Sequence, residues 1–331
     1  MAISDNQKKL LHLLANGDFK SGTELAEALG LSRSAVWKQL NGLADLGVEC
    51  IGVSGKGYRL NSRLEFLAED KILPLLDVDT KARCILEIHD QLDSTNSYLL
   101  KKSQRQAPSG LVCLAEHQTA GKGRRGRNWV SPYGSNIYLS LLWHFPHNGL
   151  GEISGLSLAV GVAVVRALKQ LQFADVGLKW PNDLYWQGKK LGGILIEVSG
   201  EASGPCCAVI GLGLNLQLSI AQAESINQPW TDLNRMANGK KIGRNHLAAA
   251  LLNHLVPVVA EFGTTGIGAY VDEWRANDCL LAKPACLYVG NQALEGIVRG
   301  IDGNGLLLLE HPDGQIRAYA SGEVSFHRVQ P

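Results

Sequence analysis

Apolar residues near the start of the chain recur at helical spacing and predict consecutive helices. Leu10, Leu11 and Leu14 lie on one face of a first helix. Ser21 and Glu24 have the spacing of a capping box, in which each side chain satisfies the other's free backbone N–H, and this pair predicts the start of a second helix.

A glycine turn separates the second helix from a third. Gly30 stands where a C-cap glycine ends a helix, and Val36 and Leu40 give the next segment an apolar face. This order predicts a helix-turn-helix. Two short apolar runs around the glycine turn at Lys56 predict a β-hairpin wing. The residues assigned to DNA contact are Ser32, Arg33, Ser34, Lys38, Asn41 and Lys56.

Two points stay open in this segment. Trp37 either packs in the core or projects into a DNA groove. The whole segment is alternatively a small helical protein-interaction module with a hairpin, although the basic hairpin tip favours DNA.

The middle of the chain alternates irregularly between strand and helix patterns, which predicts a mixed sheet backed by helices. Strands are expected at 85–88, 111–115, 136–143, 184–186, 191–198 and 209–215, and helices at 64–76, 94–100, 153–171, 245–262 and 266–274.

The last fifty residues read differently, as short strands separated by tight turns. The predicted strands are 285–289, 294–301, 306–310, 315–320 and 323–329, which together favour a small SH3-like β-barrel. The predicted fold class is therefore α+β. The predicted domains are 1–62 (winged helix-turn-helix), 63–280 (central α/β domain) and 281–331 (SH3-like domain).

Composition limits the classes of function. The 331 residues are 45% hydrophobic and carry a net charge of +1, so any nucleic-acid affinity must come from a local basic patch. The seven cysteines are scattered without ligand spacing, which predicts neither disulfides nor a metal site. We see no signal peptide and expect no apolar run long enough to span a bilayer, so the expected location is the cytoplasm.

The stretch 118–132 carries the most distinctive chemistry. Its four cations, Lys122, Arg124, Arg125 and Arg127, are interleaved with three glycines. Such a loop can approach an anionic ligand closely and donate to its oxygens. The glycine spacing also matches a dinucleotide fingerprint, but the segment that follows contains Pro132 and lacks a helical period. A solvated basic loop is the plainer alternative.

Further motifs lie on both sides of the loop. Ser94-Thr-Asn96 precedes it, and Lys179-Trp-Pro-Asn-Asp183, Lys190-Leu-Gly-Gly193 and Gly211-Leu-Gly-Leu-Asn215 follow it in that order. Adjacent glycines in a strand, Gly192 and Gly193, indicate close approach of a ligand or another backbone. With the basic loop and the N-terminal segment, these motifs resemble the biotin–protein ligase family in its bifunctional ligase/repressor form, over essentially the whole chain.

The resemblance implies a two-step reaction. Biotin and ATP, with Mg²⁺, would form biotinyl-5′-AMP, and a lysine of the biotin carboxyl carrier protein of acetyl-CoA carboxylase would then accept the biotinyl group. The residues implied in catalysis are Arg124, Lys190 and Asp183. Those implied in biotin binding are Ser94, Thr95, Asn96, Gln118, Lys122, Gly123, Arg124 and Lys190, and those implied in ATP or adenylate binding are Gly121, Arg124, Arg127, Lys179, Asn182 and Asn215.

The resemblance also implies a regulatory role. With biotinyl-5′-AMP as corepressor, the protein would dimerise through its central sheet and bind operator DNA of biotin synthesis genes. One position departs from the family's pattern, because Lys122 stands where Arg is usual and bidentate geometry is lost. The alternatives are a ligase without repressor activity, a lipoate–protein ligase-like enzyme, and a transcription factor that senses a small molecule and catalyses nothing.

Overall fold

A computed structural model describes residues 3–200, 204–237 and 242–326. The N-terminal part consists of α1 (Asp5–Leu14), α2 (Gly22–Leu29), α3 (Arg33–Asn41), β1 (Cys50–Val53) and β2 (Gly57–Leu60). The capping box at Ser21 and Glu24 is present, and Gly30 ends α2 with a φ of 66°. Strands β1 and β2 pair as the predicted hairpin, with Lys56 exposed at its turn.

The central part contains a twisted mixed sheet with helices on both sides. Its elements are α4 (Glu69–Ile72), α5 (Val78–Arg83), β3 (Ile85–Leu92), α6 (Thr95–Ser103), β4 (Leu111–Gln118), β5 (Ile137–Phe145), α7 (Leu156–Gln170), β6 (Gly177–Lys179), β7 (Asp183–Trp186), β8 (Lys189–Gly200), β9 (Cys206–Leu214), α8 (Leu233–Met236), α9 (Arg244–Thr265) and α10 (Val271–Ala276). The described strands lie in the order β3-β4-β5-β9-β8-β7-β6, with β3 and β4 parallel and the other pairs antiparallel.

The predicted helix at 64–76 is only partly correct. Residues 64–68 are not helical, because their backbone N–H groups bond to other parts of the domain: Leu67 N donates to Glu116 and Ala68 N donates to Asn245. The helix begins at Glu69. The short helix α5 and the strand β6 carried no pattern strong enough to predict them.

The C-terminal part is an antiparallel sheet of β10 (Pro284–Val289), β11 (Gln292–Ile301), β12 (Leu307–Glu310), β13 (Ile316–Tyr319) and β14 (Glu323–Ser325), in the order β13-β12-β11-β10-β14 among the described residues. Each strand was predicted. The last was expected to reach residue 329, and its part from 327 onwards lies outside the described residues.

The buried cores explain how the parts are held together. The inward faces of the C-terminal strands share one continuous core with α7, α9 and the central sheet. The N-terminal helices have a separate core, which is completed by Tyr133 from the central part.

Helix α9 is long and apolar enough to cross a membrane by length and composition, which corrects the expectation that no run has this property. Most of α9 is buried, and it packs against α7.

Candidate functional site

A cleft opens on the central sheet, beneath the basic loop and beside the C-terminal sheet, and its space is about 940 Å³ with the open solvent at its mouth included. Most residues predicted for biotin, ATP or catalysis line it: Ser94, Thr95, Asn96, Gln118, Lys122, Gly123, Arg124, Arg127, Lys179, Asn182, Asp183 and Lys190. Sequence motifs separated by up to a hundred residues therefore meet at one place.

Two predicted residues lie outside the lining. Gly121 is buried beneath the loop, where its carbonyl accepts from Trp129 N at 2.8 Å. A Cβ at this position would lie 2.5 Å from the Trp129 carbonyl oxygen, so only glycine fits. Asn215 was expected to face the nucleotide, but its Nδ2 donates to the Thr231 carbonyl at 3.1 Å. In this structure it anchors the segment that returns to Lys190.

One end of the cleft is a buried polar network at the start of α6. Thr95 N donates to Gln118 Oε1 at 2.9 Å, and Gln118 Nε2 donates to Ser131 at 3.0 Å. The Ser140 hydroxyl lies 2.7 Å from Thr95 Oγ1 and 2.6 Å from Asn96 Oδ1. This network fixes the orientation of each amide and hydroxyl around the cleft.

Three members of this network were not predicted as site residues: Ser131, Ser140 and Glu197. Ser140 is a fully buried polar residue in the middle of an apolar strand, and that pattern was the available signal. Glu197 accepts from Asn96 Nδ2 at 2.8 Å, and its other oxygen lies 3.8 Å from Lys122 Nζ. Nothing local in the sequence around Glu197 indicates this position.

Glycines form the floor of the cleft. Gly193 and Gly213 are paired in register on β8 and β9, and the Trp129 ring lies across both. A Cβ at Gly213 would lie 2.5 Å from Trp129 Cε2, and one at Gly192 would lie 2.9 Å from the carbonyl oxygen of Gly213. The close approach expected at these glycines is thus made by an aromatic ring and by a neighbouring strand.

The basic loop is fastened to the C-terminal sheet. Arg127 pairs with Glu323, and Arg125 lies 3.6 Å from the same carboxylate. Burial alone would raise the pKa of Glu323, but the hydrogen bond from Arg127 and the charges of both arginines hold it below its ordinary value. Arg125 itself has a φ of 56°, a left-handed conformation that was expected only of the loop glycines.

Arg124 points inward from the same loop. Its Nη1 donates to Asn182 Oδ1 at 2.9 Å and its Nη2 to the Gly322 carbonyl at 3.3 Å. Burial lowers the pKa of this guanidinium, with the Asp183 charge opposing. The group stays cationic at neutral pH, since the ordinary pKa of arginine is far higher.

A lysine–carboxylate pair faces the loop from the sheet. Lys190 Nζ lies 2.8 Å from Asp183 Oδ1, and both side chains are about 15% exposed. Lys179 is more deeply buried, with its Nζ 3.2 Å from the Tyr185 hydroxyl and 5.4 Å from the centre of the Phe326 ring. Burial lowers the pKa of Lys179. Cations outnumber carboxylates around the cleft, which suits a polyanionic ligand.

The predicted DNA-contacting residues are all exposed in the N-terminal part, five of them on or at the start of α3 and Lys56 at the hairpin turn. Arg33, Ser34, Lys38 and Asn41 are exposed along α3. Ser32 is the N-cap of α3: its hydroxyl accepts from Ala35 N at 3.2 Å and lies 3.0 Å from the Ser34 hydroxyl. The same surface carries Trp37, which is 57% exposed, so the core alternative for this residue is excluded.

Comparison with known proteins matches each of the three parts of the chain to a family model. Residues 6–59 match the model of an HTH domain, 88–215 that of the Biotin/lipoate A/B protein ligase family, and 285–327 that of the Biotin protein ligase C terminal domain. The chain is 40% identical to the bifunctional ligase/repressor BirA of Escherichia coli strain K12 over 322 residues, 97% of each chain. It is 31% identical to BirA of Bacillus subtilis strain 168, over 95% of this chain and 97% of that one.

A solved structure gives the same result for the fold. The biotin protein ligase of Aquifex aeolicus in complex with biotin and ATP is similar with a TM-score of 0.62 and 27% identity. The match covers 72% of this chain and 97% of that chain.

Proposed function

The chain belongs to the family of bifunctional biotin ligase/repressors, and from this premise we propose how its cleft carries out biotin transfer and how its N-terminal domain reads DNA. The enzyme is an ATP-dependent biotin–protein ligase that takes biotin and ATP as substrates. The observation that carries the site proposal is that Arg124, Lys190 and the polar network around Asn96 converge on one cleft.

In the first step, a carboxylate oxygen of biotin attacks the α-phosphorus of ATP. The new C–O–P linkage forms biotinyl-5′-AMP, and the bond to the β-phosphate oxygen breaks to release pyrophosphate. Attack of an anion on a polyanion requires cations at the developing charge. Lys190, Arg124, Lys179 and Arg127 all line the cleft, and we assign these cations to the developing charge.

In the second step, a lysine amine of the biotin carboxyl carrier protein attacks the acyl carbon. The amide bond forms, AMP leaves, and the amine loses its proton. Asp183 is placed to orient the incoming ammonium or amine, since its carboxylate lies at the cleft wall beside Lys190. We assign it positioning before proton abstraction, because a carboxylate is a weak base.

The polar end of the cleft favours biotin over lipoate. The ureido ring of biotin presents N–H and C=O groups, whereas the dithiolane ring of lipoate presents none. Thr95, Asn96 and Gln118 bring amide and hydroxyl groups to this end. A ureido ring would exchange hydrogen bonds with them, which a dithiolane ring cannot do. The backbone around Gly123 and the side chain of Lys122 would close over the bound ring.

We place Mg²⁺ with the nucleotide. Among the described residues, no group of three or more His, Cys, Asp or Glu side chains could hold a metal ion. Mg²⁺ is commonly held by substrate phosphates with one or two carboxylates, and here it would enter with ATP, bound to phosphate oxygens. Closure of the loop would then keep water from the reactive anhydride.

For repression, we propose that biotinyl-5′-AMP is the corepressor and that the adenylate-bound protein pairs through its central sheet. The homodimer would place two α3 helices on the half-sites of a palindromic operator. We also propose domain boundaries at 62/63 and 280/281, and a cytoplasmic location.

One experiment separates this proposal from its alternatives. Purified protein is incubated with biotin, ATP and carrier protein, and the same mixture is tested by gel shift on a palindromic duplex from upstream of biotin synthesis genes. Biotinylated carrier together with a shift that requires both ligands supports the proposal. Biotinylation with no shift under any condition leaves a ligase without repressor activity. A ligand-dependent shift without biotinylation contradicts the catalytic assignment and favours a sensor.

A further inference from the structure

Trp37 has no place in the ligase chemistry or in the core, although it is a large aromatic residue. Its helix α3 buries Val36 and Leu40 against the N-terminal core, while Trp37 is 57% exposed. Tryptophan is highly buried on average in folded proteins, so an exposed one on a short polar helix requires a reason.

The exposed neighbours of Trp37 on the helix surface are polar or cationic. In an α-helix the residues three and four positions apart share a face, so Arg33, Ser34 and Asn41 lie next to Trp37, with Lys38 beside it. Each of these residues is exposed. The remaining neighbour at this spacing, Leu40, is buried on the core side. The nine residues of α3 contain two cations and no carboxylate. The surface is thus an apolar centre within a cationic rim.

We propose that Trp37 is a specificity-determining residue that packs against thymine methyl groups in the major groove of operator DNA. The proposal rests on the repressor function proposed above. The thymine C5-methyl group is the apolar feature that base pairs present in the major groove, and apolar side chains recognise it. The cations around the indole match the phosphates that line the groove on both sides.

Trp37 and the residues around it would make different kinds of contact with DNA. Arg33 and Lys38, together with Lys56 at the exposed wing turn, supply contacts that position the helix on any duplex. Trp37, at the centre, supplies a contact that depends on the base. A protein partner for this surface would have to present acidic groups around a protruding apolar side chain. Duplex DNA presents phosphates around an apolar methyl group at every thymine.

The test removes the methyl group from the DNA and the indole from the protein. Duplexes are first selected from a random pool by the full-length protein with biotin and ATP. Each thymine of the selected half-site is then replaced by deoxyuridine, which deletes only the C5-methyl group. Affinities are measured for the wild type, Trp37→Ala and Trp37→Phe. Ile316→Ala is the matched control, because Ile316 is 56% exposed on the distant strand β13.

At one thymine position of the half-site, replacement by deoxyuridine should weaken binding of the wild type about fourfold. This factor corresponds to the burial of one methyl group. Trp37→Ala should bind roughly tenfold more weakly and should no longer distinguish thymine from uracil at that position. Trp37→Phe should keep part of the discrimination, and Ile316→Ala all of it. The salt dependence should be unchanged in Trp37→Ala, since no phosphate contact is lost. Thermal melting monitors folding of each variant.

Two results overturn the proposal. One is that Trp37→Ala retains the same thymine preference as the wild type. The other is that Trp37→Ala binds DNA normally but loses association with a protein partner, which would make the surface a protein interface. If the wild type selects no DNA at all, the repressor function fails first, and the selection step reports that separately.

Discussion

Replacing Arg244 by methionine should be among the most destabilising single substitutions in this protein. Arg244 and Glu116 form an ion pair in which both side chains are 3% exposed. Arg244 also donates to two backbone carbonyls, those of Glu65 at 2.8 Å and Asn136 at 2.8 Å. The guanidinium therefore joins the segment before α4, the end of β4, the start of β5 and the start of α9.

The size of the effect follows from burial. Methionine fills a similar volume, so little is lost in packing, but the Glu116 carboxylate remains in the interior without its partner. Breaking one side of a buried pair costs about 3–5 kcal/mol. The comparison is Arg166→Met, because Arg166 pairs with Glu273 with both side chains more than one-third exposed. Removing a surface pair of this kind costs about 0–1 kcal/mol.

The measurement is the free energy of unfolding in urea at pH 7 for both variants and for the double variant Glu116→Gln, Arg244→Met. The double variant should be less destabilised than Arg244→Met alone, because it contains no isolated charge. If Arg244→Met costs no more than Arg166→Met, the interior around Glu116 is accessible to water and the reasoning is wrong.

Three further predictions concern the cleft and one buried acid. Arg124→Gly should release biotinyl-adenylate and label lysines of bystander proteins, because the guanidinium that spans the cleft to Asn182 is lost; labelling of the cognate carrier alone, at the wild-type rate, would contradict this. Lys122→Arg should tighten biotin binding about twofold to fivefold in titration calorimetry, because a guanidinium can bond Glu197 in a bidentate way where the ammonium now lies at 3.8 Å; an unchanged or weaker affinity would contradict it. Burial raises the pKa of Asp278 from 3.8 to about 6, so the folded state holds this proton more tightly and loses stability as pH rises from about 4 to 6. Asp278→Asn should remove that loss of stability, which is at most about 3 kcal/mol. The free energy of unfolding is measured at pH 3.5 and pH 7, and an equal change in the wild type and the variant would refute the prediction.

Local signals predicted the parts of the fold that local interactions determine. The capping box at Ser21 and the glycine at position 30 specify the ends of α2 because the bonds involved span three or four residues. The predicted helix at 64–76 fails for the opposite reason. Its first residues are kept out of the helix by hydrogen bonds to Glu116 and Asn245, and no pattern within the segment itself reveals these distant partners.

In the site, too, the residues within motifs were predicted and the residues that depend on distant contacts were not. Motif residues such as Asn96 and Lys190 were assigned to the site through the resemblance of their motifs to the ligase family, and both line the cleft. The residues that hydrogen-bond these motif residues were not predicted. Glu197 is about one hundred positions from Asn96, and Ser140 is a single serine within an apolar strand. The nucleotide contact expected of Asn215 stays a prediction, since a polar residue at a strand end can face either the ligand or the next loop, and Asn215 Nδ2 here donates to the Thr231 carbonyl.

Other contacts that the sequence did not reveal join the domains at the basic loop. One side of the loop is fastened to the C-terminal sheet, where Glu323 receives Arg125 and Arg127. Its other end runs into Tyr133, which is 1% exposed, belongs to the N-terminal core and donates its hydroxyl to Asp90. A glycine-rich loop has little structure of its own, so its conformation depends on these anchors. Since the anchors lie in the two flanking domains, the shape of the ligase cleft is a property of the whole chain, even though the reacting groups come from its centre.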